Sequence, residues 1–285
     1  YVLLGMCVSL IGLPTVANAA PEVTKIAVGN IQRDAIIVRL ATGQAERKSK
    51  ETGEWIPLAI GADLTNDDVI KTGKNSIILM ELPENAGIIR LMPESEIKVN
   101  QIKVDRSFEG GQIAELSVSK GKVITQVRKF NRKSSKLQIH TKGATAAVRG
   151  TSFLTSYSEN TNETKVIVGD GKVAVKAQGQ EVIVQPKEFT KVGLGGKPLT
   201  PDFVENRLDF SISALKADNG KLNVSGVTDP DAEIRINKVA LGANNDGSFN
   251  GALSLNEGGN DIIIKASTID GRQKVSNLKV LKFTN

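Results

Sequence analysis

GATAAVRGTSF, residues Gly143–Phe153, is the most telling stretch of the chain. Small apolar residues run into one cation, Arg149, and a Gly150-Thr151 step restarts a hydrophobic run at Phe153. A glycine between two strand-like runs predicts a bend or bulge, since glycine adopts left-handed backbone without a Cβ penalty. No carboxylate lies close to Arg149 in sequence, so its guanidinium is expected to hold carbonyl oxygens or a distant acid as a structural anchor.

Short alternating runs extend outward from this stretch in both directions, among them AIIVRL, SIILMEL, GIIRLM, KVITQV, LQIHT, KVIVGD and KVAVKA. Turn residues divide them at close intervals and no long helical periodicity appears, which predicts an all-β sandwich or roll. One repeat stands out: Val118-Ser-Lys-Gly121-Lys-Val123 returns fifty residues later as Val168-Gly-Asp-Gly171-Lys-Val173. Both copies read as tight hairpin turns, and SIILMEL-PENAG-IIRLM reads as a third, looser hairpin. The Gly- and Pro-rich stretch GLGGKPLTP breaks the pattern, so residues 193–204 are expected to link a first β-domain, 20–192, to a second, 205–285. Short strands in the second predict a small β-sandwich.

The run from Ile139 to Val184 resembles the signature half of the FecR family of bacterial periplasmic domains, with Val148, Arg149, Gly150, Thr151 and Phe153 in its V-R-G-T-x-F motif and Gly171 between two later strands. The preceding half is similar too: Trp55, Leu58, Gly61, Leu64, Asp68, Ile70, Thr72, Gly73 and Ser76 follow the family's order, with Asp67 where the family has glycine. These motif residues are expected to be structural. The tail from Val224 resembles a bacterial immunoglobulin-like module of the glucodextranase type, a kind that serves as spacer or adhesive unit. The FecR resemblance implies a role near sensing. Some relatives relay transporter occupancy to a sigma factor, and others are exported and carry the domain beside carbohydrate- or peptidoglycan-binding modules.

The first residues, through Ala17-Asn18-Ala19, are apolar and uncharged with small residues at the last and third-last positions, so 1–19 is expected to be a signal peptide cut after Ala19. Cleavage would leave no membrane span and remove the single cysteine, Cys7, placing a thiol-free chain in the periplasm or at the cell surface. The net charge of +6 is uneven. Between Glu115 and Glu159 there is no carboxylate, yet nine Lys and Arg side chains occur. The cluster Arg128, Lys129, Arg132, Lys133 and Lys136 is therefore the candidate docking surface for an envelope protein or anionic envelope polymer, while lysines guarding a sheet edge are the plainer account of the same residues. No specific nucleic-acid partner is expected of an exported chain.

Chemistry is thin. His140 is the single histidine, which excludes paired-histidine zinc motifs, and it falls on the polar side of LQIHT. Asn244, Asn245 and Asp246, with Asp229 and Asp231, offer oxygen donors for Ca²⁺ but serve equally as turn residues. Neither catalytic residue, metal nor cofactor is expected. The leading expectation is an exported, non-enzymatic interaction or scaffold protein. The alternatives are a signal-relay regulator of a sigma factor and a glycan- or peptidoglycan-binding module.

Overall fold

A computed structural model describes residues 34–107, 110–130, 132 and 134–282. The expected signal peptide and Lys133 lie outside the described residues. Strands dominate the chain, so the all-β expectation holds. Among the described residues, no helix is long and apolar enough to cross a membrane.

Residues up to Phe203 form two sheets around one core. In the first sheet the order is Asp63–Leu64, Ile36–Thr42, Ile77–Glu81, Gly87–Leu91, the second half of Gln112–Val127, Ser152–Ser158, Glu163–Asp170, Glu188–Gly193 and Asp202–Phe203, all antiparallel. The second sheet runs Trp55–Pro57, Ala45–Lys48, Val69–Thr72, Glu96–Val104, the first half of Gln112–Val127, Lys136–His140, Thr145–Val148, Val173–Ala177 and Gln180–Val184. Its single parallel pairing joins Lys136–His140 to Gln112–Val127. Phe153, Tyr157, Leu64, Ile70, Ile89 and Leu116 fill the space between the sheets and are fully buried. Each such side chain contributes roughly 1.5–3 kcal/mol by leaving water.

The repeat is where structure corrects the sequence reading. Neither copy is a hairpin. Gly121, at φ +80°, lies inside the sixteen-residue strand Gln112–Val127, at the point where it leaves the second sheet and enters the first. Gly171, at φ +79°, takes the chain from Glu163–Asp170 in the first sheet to Val173–Ala177 in the second. Glycine with positive φ serves a corner as readily as a hairpin, and pairing partners distinguish the two. SIILMEL-PENAG-IIRLM is a true hairpin, closed by a 3₁₀ turn at Pro83–Asn85.

From Phe210 onward a three-stranded sheet (Phe210–Asp218, Lys221–Thr228, Ser248–Ser254) faces a four-stranded one (Val239–Gly242, Glu233–Ile236, Gly258–Ser267, Gln273–Lys282). They share a second core around Phe249, Val224, Ile234 and Ile264, with Phe210 stacked on Phe249 at 6.1 Å between centroids. Residues 193–204, expected as linker, are tied to the first domain. Leu194 N donates to Asn162 O, Thr190 Oγ1 to Leu199 O, and Asp202–Phe203 pairs with Glu188–Gly193.

Candidate partner-binding site

The basic stretch is the crossover that carries the chain from Val127 in the first sheet to Lys136 in the second. It is built against the Arg149 corner. Phe130 N donates to Arg149 O, Val127 N to Thr151 O, and Arg149 Nη2 to Arg132 O at 3.1 Å. The loop passes so close that a Cβ on Gly150 would sit 2.4 Å from Lys129 Cα, and Gly150 has φ +118°. Arg149 is thus an anchor through a carbonyl, with its side chain exposed.

The cations of the cluster divide by use. Arg132 Nη1 donates to the carbonyls of Gly110 at 2.9 Å and of Asp105 and Ser107 at 3.2 Å, gathering those three carbonyls around one guanidinium. Lys136 pairs with Glu115 at 2.7 Å. Among the described residues, exposed Arg128 and Lys129 make no side-chain hydrogen bond or ion pair, so they are the charges available to a partner. Both line a groove of about 280 Å³ with Glu84 and Gln112, and Arg128 also borders a groove of about 420 Å³ lined by Glu81, Ile88, Gln126 and Asp170.

The remaining motif residues sit in the frame. Val148 and Phe153 are in the core, and Thr151 packs where a Cβ on Gly171 would lie 2.5 Å from its methyl. Gly73 N donates to Gln44 O at 2.8 Å, and Trp55 carries Lys71 Nζ 4.0 Å over its ring. Asp67 adopts φ +69°, the conformation a glycine would supply, and Lys98 hydrogen-bonds its carboxylate at 2.7 Å and lowers its pKa.

His140 Nδ1 meets Thr145 Oγ1 at 3.0 Å, and Glu115 stands 3.9 Å from Nε2. The order hydroxyl, imidazole, carboxylate resembles a nucleophilic triad, but the carboxylate is beyond hydrogen-bond reach and is held by Lys136. The Ca²⁺ candidates are engaged elsewhere. Asn244 bonds Asn75, Asp246 bonds Ser248, Asp231 pairs with Lys165, and Asp229 pairs with Arg272. Among the described residues no three His, Cys, Asp or Glu side chains form a metal-holding group.

Sequence reasoning missed the outer face of the first sheet. Ile77, Met92, Ile124, Leu154 and Ile167 are buried there under Ala240 and Ile269 of the C-terminal sandwich. Gly169 and Gly242 allow the approach, since a Cβ on either would meet Ile269 O or Pro93 Cδ within 2.2 Å. Lys122 lies in this contact, 3% exposed. The detectable clue was the adjacent apolar pairs Ile77-Ile78, Val123-Ile124 and Phe153-Leu154, which mark strands covered on both faces.

No curated protein matches the chain. Among solved structures, two of a Parabacteroides distasonis protein described as a "putative anti-sigma factor", at 1.65 and 2.50 Å, share 17% identity with TM-scores of 0.38 and 0.39. Each covers 47% of this chain, which spans 59% of theirs. Residues 68–174, from the buried Asp68 turn through the Arg149 corner into the strand after Gly171, match the FecR protein family model.

Proposed function

We propose that this protein is a non-catalytic signal-relay component of a bacterial cell envelope, in which the FecR-type region engages a protein partner. The match of residues 68–174 to the FecR family carries this reading. It supports the relay better than the exported scaffold role expected first, which rested on the expected signal peptide, the appended sandwich and the basic cluster. Export through the segment ending at Ala19 places the chain outside the cytoplasm. The C-terminal sandwich, similar in sequence to immunoglobulin-like modules, positions the relay region.

The test compares transcription in cells with and without the full chain under envelope stress and metal limitation. A narrow set of promoters sharing one sigma factor is the expected change. Unaltered transcription under both conditions overturns the relay.

Docking by charge is a second reading, favoured by the unengaged Arg128 and Lys129 beside their grooves. Reversing both to Glu weakens capture of an anionic partner and flattens its salt dependence. Unchanged capture by the doubly reversed chain rules the pair out.

A further inference from the structure

Each sandwich has its own core, so their contact completes neither fold. The apolar part of that contact is thin, with Ala240 and Ile269 the C-terminal contribution to the strip on the first sheet. Around it lie polar groups whose partners water can replace at modest cost. Arg90 pairs with Glu233 at 2.7 Å and Lys165 with Asp231 at 2.6 Å. Asn75 and Asn244 exchange amide hydrogen bonds, and Asn245 N donates to Glu94 at 2.9 Å.

Lys122 occupies the middle. Its Nζ donates to the carbonyls of Pro230 at 2.5 Å, Ala243 at 3.0 Å and Asn244 at 3.3 Å, all on the C-terminal sandwich. Among the described residues, no carboxylate lies within ion-pair distance of this ammonium, and nearby Asp231 is held by Lys165. A buried cation solvated by neutral carbonyls, without a counter-ion, costs free energy that rehydration returns.

We propose that the C-terminal sandwich is a releasable cover on the outer face of the first sheet, with Lys122 as the proton-linked pin that sets how tightly it seats. Burial lowers the Lys122 pKa from 10.5 to about 8, against the attraction of Asp231, Glu94 and Asp246 and helped by repulsion from Lys165. Lys120 on its own strand and Glu159 at the rim are the other charges beside the junction. Once released, the ammonium is hydrated and titrates as an ordinary lysine. The released form therefore binds more protons between about pH 8 and 10.5, and seating strengthens as pH rises through that window. Below it, seating is weakest and independent of this proton. The neutral amine keeps two donors for the carbonyls.

The test uses the full chain in a Cys7→Ser background, with fluorophores on Glu51→Cys and Asp218→Cys, both exposed. The expected result is seated and released populations at pH 7, with the released fraction falling several-fold by pH 10. K122R, charged throughout, and K122M, never charged, each hold that fraction constant across the range. A single distance at every pH in the unsubstituted pin overturns the proposal. So does the same pH response in K122M.

Discussion

Gly150 and Arg132 decide the shape of the candidate site one residue at a time. Gly150→Ala adds a Cβ at φ +118° within 2.4 Å of Lys129 Cα, so it is expected to cost at least about 3 kcal/mol in urea unfolding. Gly53→Ala, at φ +74° with open space around it, is expected to cost about 1 kcal/mol. Equal losses would remove the close approach as the reason for glycine in the motif. Arg132→Ala strips three carbonyls of their shared donor and should lower stability by about 1 kcal/mol, discounted for exposure. Lys129→Ala should leave stability within about 0.5 kcal/mol. The glycine and the cations were legible in the sequence. Which cations are engaged internally was not, because Arg132 reaches back to the carbonyls of Asp105, Ser107 and Gly110.

At the scale of strands and turns, neighbouring residues face different surroundings. Phe153 points into the first core and Leu154 into the strip under the C-terminal sandwich. Phe153→Ala is expected to cost about 3–5 kcal/mol and melt the first domain. Leu154→Ala should cost about 2–3 kcal/mol and speed amide exchange in Val239–Gly242, whose Ala240 packs against the same cluster. Exchange at Val239–Gly242 that matches the parent chain would detach Leu154 from the junction. The turn from Ser267 to Arg272 carries a pH signature. Burial raises the Asp270 pKa, but hydrogen bonds from Arg272 and Thr268 and the Arg272 charge outweigh it and hold the value below 3.8. Its stabilisation is present above the ordinary carboxylate range and is lost as pH falls through the lowered value. Asp270→Asn should remove that part of the acid sensitivity in pH-dependent unfolding. Alternation announced the strands, whereas the corners at Gly121 and Gly171 were misread, since positive φ alone does not say which strands will pair.

For the molecule as a whole, the junction between sandwiches is the measurable feature. Arg90 and Glu233 lie 143 residues apart in the chain and meet at 2.7 Å, half-buried. A double-mutant cycle with Arg90→Met and Glu233→Gln is expected to give a coupling of about 1 kcal/mol. Additive effects would mean that the pair contributes nothing to seating. The all-β class and the motif residues Val148 to Phe153 could be read from local sequence, because alternation, turn residues and spacing act over a few residues at a time. Long-range pairing settled that Gly121 and Gly171 are corners, that Arg128 and Lys129 are the unengaged cations among the described residues of the basic cluster, and that Lys122 is buried. Those outcomes depend on partners far along the chain: Lys122 reads in sequence as one solvated lysine among many, and its carbonyl partners lie 108 to 122 residues away. Burial and pairing follow from which surfaces meet, and local sequence does not encode that meeting.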